Sequence, residues 1–303
     1  MPIHLPAQSR RQFLSTLGTA AGAAVVASAT KTLASNVEDD LVYLLNDTHI
    51  GEKHPSDSPV PSHLRQVVDE LAARQRKPAC VLINGDLALK DGQPGDYRHF
   101  ARLIQPLREA NVDLHLTLGN HDHRETFYDV LLEERRDAPV VQSRHISIVE
   151  TRFANFYLLD SLKQTMVTQG TLGDEQRRWL AEALDERSSK PAIIVTHHNP
   201  RLGGDPNHFP GGLIDSNELW QMLASRRHVK AYIHGHIHDR GLAEHQGIQI
   251  INTPATSYVA NPARSTTGWT TARLRADGVT LTTHTTDAAH AWNGQSKTIA
   301  WRV

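Results

Sequence analysis

Apolar positions fall in short runs along the chain, and the runs alternate between two periods. Asp40-Leu41-Val42-Tyr43-Leu44-Leu45 is nearly continuous and reads as a strand buried on both faces. Residues 63–76 place Leu64, Val67, Val68, Leu71 and Ala72 at helical spacing, with Ser62 as the expected cap and Pro78 as the stop. A second strand is expected over 79–83. A second helix follows over 96–110, with Tyr97, Phe100, Leu103, Ile104 and Leu107 on one face. The alternating run 112–118 gives a third strand. Strand, helix, strand, helix, strand is the order of an α/β sheet with crossover connections.

The second half repeats the habit less regularly. Residues 124–137 read as a charged helix, and 145–149 with 155–159 as a hairpin. Asp174 is placed to cap a helix over 175–187 whose Trp179, Leu180 and Leu184 face inward. Strands are expected at 192–195 and 229–233, with a helix at 216–224 between them. The Thr-rich segment 247–303 alternates in short runs and reads as strands completing a second sheet. Gly, Pro and Ser concentrate in loops 51–61 and 201–212, at the rim of any site the strands build.

Chemistry is concentrated where the strands stop. The polar clusters are Asn46-Asp47-Thr48-His49, Asn84-Gly85-Asp86, Gly119-Asn120-His121-Asp122-His123-Arg124, Thr196-His197-His198-Asn199-Pro200 and His234-Gly235-His236-Ile237-His238. Each follows an apolar run, at the carboxyl end of a strand, where open α/β sheets hold ligands. One such cluster is an ordinary polar turn. Five in succession, in a chain with 19 His, point to a metal centre. The single cysteine, Cys80, lies within an apolar run and is expected to be a buried small hydrophobe. A thiolate cluster is thereby excluded, and the ligands must be imidazole, carboxylate and amide. With 32 Lys and Arg against 33 Asp and Glu, no basic surface for nucleic acid is expected.

Asp47, His49, Asp86, Asn120, His197, His236 and His238 are too many for one tetrahedral ion with an open position. They suit two ions about 3.5–4 Å apart sharing a carboxylate and a water. Asp86, in the middle of the set, is the natural bridge. Two cations would hold phosphoryl oxygens and make a bridging hydroxide usable at neutral pH for in-line attack on phosphorus. His121, beside Asn120, is the candidate acid for the leaving oxygen. Asp122 fits either as its orienting partner or as a structural ion pair. Arg124 fits a phosphate contact or a helix-start ion pair. His198 fits a support, substrate-contact or loop-packing role. His115, His145 and His234 are expected to be structural. Mn, Fe and Zn all accept this donor set, as divalent or mixed-valence ions.

The ordered motifs Asp47-Thr48-His49, Gly85-Asp86, Gly119-Asn120-His121-Asp122, Thr196-His197 and Gly235-His236-Ile237-His238 resemble the calcineurin-like metallophosphoesterase family over nearly the whole chain after the leader. The resemblance implies a four-layer αββα sandwich, two mixed sheets flanked by helices. It implies Asp47, His49, Asp86 and His238 on one ion, Asp86, Asn120, His197 and His236 on the other, and His121 as the acid. The branch resembled is that of bacterial class III cyclic-nucleotide phosphodiesterases, which tend to read Gly-Asn-His-Asp-x-Arg and His-His-Pro-Pro; Asn199 departs from the second. The Tyr three residues after the Asp in purple acid phosphatases is Leu89 here. His121 replaces the Arg usual in lipid A pyrophosphohydrolases. The expected function is therefore a phosphodiesterase or phosphatase acting on a small phosphoester. The alternatives are a cyclic-nucleotide phosphodiesterase proper and a non-catalytic metal-binding scaffold.

The first 35 residues read as an address. Ser9-Arg10-Arg11-Gln12-Phe13-Leu14 is a twin-arginine pattern, followed by an Ala- and Gly-rich apolar run and a cleavage site after Ala29 or Ala34. The run is too short to span a bilayer stably. The expected organisation is a signal peptide and linker over 1–35, a catalytic domain over 36–303, and a periplasmic or other extracytoplasmic location.

Overall fold

The computed structural model describes residues 36–135, 138–202 and 211–303. The twin-arginine segment, and part of the loop 201–212, lie outside the described residues. The unit Asn36–Val303 is compact. Its elements are β1 (Val37–Asn46), α1 (Val60–Ala73), β2 (Lys77–Asn84), α2 (Pro94–Glu109), β3 (Leu114–Thr117), α3 (Arg124–Val130), β4 (Ser147–Glu150), β5 (Asn155–Leu158), α4 (Asp174–Glu186), β6 (Ala192–Val195), α5 (Ser216–Ala224), β7 (Val229–His234), β8 (Gly241–His245), β9 (Ile248–Asn252), β10 (Gly268–Arg275), β11 (Gly278–Thr285) and β12 (Ser296–Ala300).

The strands form two six-stranded mixed sheets, ordered β12-β11-β10-β1-β2-β3 and β4-β5-β6-β7-β9-β8. β1, β2 and β3 run parallel, as do β5, β6, β7 and β9. The period of two in β1 explains the layering. Leu41, Tyr43 and Leu45 face a cluster with Leu64, Val68, Phe100 and Ile104 of α1 and α2. Val42 and Leu44 face the other way, into a cluster with Phe156, Leu158, Val195 and Ile233 of the second sheet. The far face of that sheet packs Ile194 and Tyr232 against Leu180, Leu184, Leu219 and Trp220 of α4 and α5. Three buried clusters between four layers, two of helices and two of strands, give the αββα sandwich.

Several boundaries differ from the sequence reading. The strands after residue 267 do not complete the second sheet. β10 pairs antiparallel with β1 and carries β11 and β12 with it into the first sheet, while only β8 and β9 join the second. Helix α1 starts at Val60, before Ser62, whose hydroxyl donates to the Pro59 carbonyl at 2.7 Å instead of capping. Asp174 is the first residue of α4, and Gly173 precedes it with φ of 78°. The charged segment after Arg124 is helical only to Val130, followed by one short 3₁₀ turn at Leu132–Glu134. Among the described residues no helix is long and apolar enough to cross a membrane.

Candidate metal centre

Parallel β1, β2 and β3 end on the same side of the first sheet, and β6 and β7 do so in the second. The five polar turns therefore meet at one edge of the sandwich. Hydrogen bonds across the sheets lock the meeting. Asn84 Nδ2 donates to the Thr196 carbonyl at 2.7 Å, Gly235 N to the His197 carbonyl at 3.1 Å, and His236 N to Asp47 Oδ2 at 3.0 Å. His121 N donates to Asp86 Oδ1 at 2.8 Å. Two glycines make room for these approaches. A Cβ on Gly119 would sit 2.2 Å from Asp86 Oδ1, and one on Gly235 2.5 Å from Asp47 Oδ2.

Asp47, His49, Asp86, His236 and His238 all carry positive φ, between 45° and 71°. They are five of the nine non-glycine residues that do so among those described. Each such residue costs about 1–3 kcal/mol in backbone strain, which clusters at ligand sites. Here it turns successive side chains inward from sharply bent strand ends.

The donor atoms converge in two groups that share one oxygen. His49 Nε2 lies 3.1 Å from His238 Nε2, 3.8 Å from Asp47 Oδ1 and 3.5 Å from Asp86 Oδ2. His238 Nε2 lies 3.4 Å from Asp47 Oδ1. On the other side, His197 Nε2 lies 3.3 Å from the same Asp86 Oδ2, 3.3 Å from Asn120 Oδ1 and 3.2 Å from His236 Nδ1. Ligands about 2.0–2.2 Å from a common ion stand roughly 3.0–3.5 Å from one another, so these spacings fit shared coordination. Asp47, His49, Asp86 and His238 form one cluster with all donor atoms within 4.8 Å. Asp47 Oδ1 is buried with no hydrogen-bond donor, and only the three imidazoles stand near it at 3.4–3.9 Å. A buried anionic oxygen left this way is costly unless a cation meets it. The donor set and this orphan oxygen both fit two metal ions.

The outer nitrogens of three imidazoles are held by carbonyls, which fixes the nitrogen that faces inward. His49 Nδ1 meets the Leu89 carbonyl at 3.4 Å, His197 Nδ1 that of Asn84 at 3.2 Å, and His236 Nε2 that of Gly211 at 3.0 Å. Burial pulls His49 down to about 4, against Asp86, and His236 down to about 3, with His197 adding to the effect. Burial also draws His197 down, but the Asp86 carboxylate outweighs it and raises the ring to about 9. Burial works to raise Asp86, yet His197 and His49 hold it well below the carboxylate range. His49 and His236 are thus held neutral and ready to ligate, whereas the proton that Asp86 favours on His197 must leave when a metal binds.

These shifts set the pH response of the metal-free chain. His49, His236 and the buried His234, also pulled down to about 4, bind protons less well folded than unfolded. Their contribution to stability is fully present above the unfolded value of about 6.5 and is lost as pH falls toward 4. His197 acts in the opposite sense, its contribution fading as pH rises from 6.5 through 9. The urea midpoint of chelator-treated protein is therefore expected to drop clearly between pH 6.5 and pH 4.5. A midpoint that stays flat there would contradict the burial of these rings.

His121 lies beside the first cluster, its ring 5.1 Å from that of His49. Its Nδ1 meets the Lys90 carbonyl at 2.7 Å. Asp122 does not orient it. The Asp122 carboxylate is buried and accepts from Gly119 N, Leu87 N and Ala88 N at 2.8–3.2 Å and from the Tyr97 hydroxyl at 3.1 Å. Burial and the Asp86 charge push it up to about 6. Its work is to tie the turn after β2 to the turn after β3.

Of its two expected roles, Arg124 fills that of an ion pair. Its guanidinium makes a two-pronged ion pair with buried Asp160 at 2.6 and 2.8 Å and also donates to the Leu162 carbonyl. Arg124→Met is accordingly expected to cost about 3 kcal/mol in urea unfolding, because it removes the nearest counter-charge of buried Asp160, while KM stays near that of the parent. A raised KM with unchanged stability would restore the phosphate role. His198 stands with His197 and His236, one ring nitrogen of each lying within 4.8 Å of the others. Its Nδ1 meets Ser161 Oγ at 2.8 Å, and its ring lies 5.0 Å from His197 and 4.6 Å from His236. His145 is satisfied by Leu116 O and Tyr128 Oη, each at 3.0 Å, as a core histidine.

The sequence reading missed Tyr258, whose ring stands 5.2 Å from His49 and 5.3 Å from His238. It lies in an irregular loop after β9, where no periodicity marks it. It also missed the Lys90 carbonyl, since backbone partners leave no mark in a side-chain pattern.

A two-sheet sandwich with Asp, Asn and His donors at the shared strand ends defines a metal-dependent phosphoesterase. The sequence model of the calcineurin-like phosphoesterases matches residues 41–240, and the chain belongs to that family. It is a metal-dependent phosphoester hydrolase. The chain is 30% identical to a 3′,5′-cyclic adenosine monophosphate phosphodiesterase, CpdA, of Escherichia coli over 249 residues, 79% of this chain and 86% of that protein. It is 25% identical to a probable cyclic nucleotide phosphodiesterase of Psychrobacter arcticus over 236 residues, 73% and 81% of the two chains. Its fold is similar to that of a dimetal phosphatase from Danio rerio, with a TM-score of 0.66 at 17% identity, over 86% of this chain and 98% of that one.

Proposed function

We propose that this chain hydrolyses small phosphodiesters at a dinuclear centre, with Asp47, His49, Asp86 and His238 around one ion and Asp86, Asn120, His197 and His236 around the other. The observation that carries the reading is the position of Asp86 Oδ2, 3.5 Å from His49 Nε2 and 3.3 Å from His197 Nε2. Mn, Fe and Zn all suit these donors. When bound, such a pair of ions offsets phosphoryl charge and lowers the pKa of water to near neutral.

The protein's own groups do the rest. Asp86 and Asp47 bring two carboxylates together inside the protein, so the site attracts cations before it meets an anion. Asn120 contributes a neutral oxygen, which leaves net positive charge for the substrate. The carbonyls on His49, His197 and His236 keep each ring in the tautomer that turns the right nitrogen inward. The Lys90 carbonyl holds His121 Nδ1–H, so in the imidazolium the Nε2 proton is free for the departing alkoxide.

The E. coli relative supports a diester in preference to a monoester. The twin-arginine pattern at Arg10-Arg11 supports export, and export removes the chain from cytoplasmic cyclic AMP. A small organic diester is therefore preferred over the cyclic nucleotide. The test is the stripped enzyme reloaded with Mn²⁺, Fe²⁺ or Zn²⁺ and offered bis(4-nitrophenyl) phosphate, 4-nitrophenyl phosphate and 3′,5′-cyclic AMP. The diester is expected to exceed both others by at least about tenfold in kcat/KM. A faster monoester would make the chain a phosphatase, and a faster cyclic AMP would restore the cyclic-nucleotide reading.

A further inference from the structure

The two sheets do not close on one another everywhere. Where β8 and β9 of the second sheet face β10, β11 and β12 of the first, they leave a cavity of about 300 Å³. Strand register fixes what faces it. Leu281 and Ile251 belong to the core between the sheets. Lys297 is paired with Leu281 and Leu242 with Ile251, and cross-strand partners share a face. Thr283 lies two residues beyond Leu281 and is paired with Thr270, so both hydroxyls are on the inner face as well. Arg240 joins the wall from the turn before β8. Its guanidinium donates to Thr283 Oγ1 at 3.2 Å and to Gln295 Oε1 at 2.6 Å, and it lies 5.0 Å from the centre of the Trp292 ring. Arg240 and Lys297 are the only charged residues on the wall, and neither makes an ion pair among the described residues. Asn252 lines the cavity too, and both polar atoms of its buried carboxamide lack a hydrogen-bond partner. Two cations without an acid, hydroxyls beside them and apolar side chains around them suit an anion that carries an apolar body.

We propose that this inter-sheet cavity binds a small organic anion, its carboxylate or phosphate head held by Arg240 and Lys297 and its short apolar tail against Leu242, Ile251 and Leu281. The site is separate from the metal centre, since none of the seven ligands lines it. It does touch their supports. Arg240 stands two residues after His238. Thr253, on the cavity wall, accepts from Asn46 Nδ2 through its carbonyl at 3.1 Å and its hydroxyl at 2.5 Å, one residue before Asp47. An anion held there bears on the two turns that carry Asp47 and His238. The proposal does not depend on which phosphoester the centre cleaves, and binding reads it without turnover.

The probes are hexanoate, hexyl phosphate and hexan-1-ol, titrated by calorimetry into the Mn²⁺-loaded enzyme. One of the two anions is expected to bind at least about tenfold more tightly than the alcohol, which has the tail without the charge. A tighter hexanoate identifies a carboxylate ligand, and a tighter hexyl phosphate a phosphate monoester. In the double variant Arg240→Gln, Lys297→Gln that anion is expected to weaken by at least about tenfold, and in Arg240→Lys, Lys297→Arg to stay within about threefold of the parent. Either head also suits the metal ions, but binding there survives the loss of Arg240 and Lys297, so the drop in the glutamine variant reads the cavity. Bound Mn²⁺ is counted in each variant. If the double glutamine chain loses metal, Lys297→Gln alone, at an exposed position, carries the comparison, with a weakening of at least about threefold expected. Anions that bind no better than the alcohol, or equally well to parent and glutamine variants, overturn the proposal.

Discussion

Asp86→Ala is expected to lower kcat/KM by at least about 10³-fold, some 4 kcal/mol of transition-state stabilisation. Among the described residues Asp86 is the ligand shared between the two donor groups, its Oδ2 facing both His49 Nε2 and His197 Nε2. Its second oxygen accepts His121 N, so the loss also frees the turn that carries Asn120 and His121. Asp86→Asn separates the two effects. The amide keeps the size and an acceptor for His121 N but removes the charge that brings two cations together. Both variants are expected to fail at rescue by excess metal, which is checked by titrating Mn²⁺ into stripped protein during diester turnover. Activity within tenfold of the parent would mean that Asp86 is a bystander.

His121→Asn is expected to act through the leaving group. Loss of a positioned acid costs about 10²–10⁴-fold when the departing alkoxide needs a proton. A nitrophenolate leaves without one, so a 4-nitrophenyl diester should lose far less than an alkyl diester. The measurement is kcat/KM for diesters graded by leaving-alcohol acidity, with bound metal counted alongside. A steeper dependence on leaving-group acidity in the variant, at unchanged metal content, identifies the acid. An equal loss on every ester would instead make the His121 ring a support for the turn, through the contact of its Nδ1 with the Lys90 carbonyl.

The site was more legible in the chain than the architecture around it. Asp47, His49, Asp86, Asn120, His197, His236 and His238 each follow an apolar strand, and a strand's end is a local signal. Which strands neighbour one another is not local. β10 pairs with β1 across more than two hundred residues, so the Thr-rich tail joins the first sheet although its own alternation reads the same in either. Asp122 and Arg124 each kept two roles open in the sequence for a related reason. Their neighbours in the motif suggested catalysis, while their partners come from elsewhere: Leu87, Ala88 and Tyr97 for Asp122, Asp160 and Leu162 for Arg124. Adjacency in sequence gave the turn its motif, and the backbone then spread successive side chains to different sides. Tyr258 was silent because an exposed aromatic in an irregular loop has no periodic signature.

The account stands on a pair of ions sharing Asp86. The direct test is anomalous diffraction from crystals of the Mn²⁺-loaded enzyme. Two peaks about 3.5–4 Å apart, with Asp86 Oδ2 between them and Asn120 Oδ1 on the His197 side, are predicted. A single peak, or two peaks with Asp86 touching only one, would contradict the dinuclear reading and leave a mononuclear site among the same histidines.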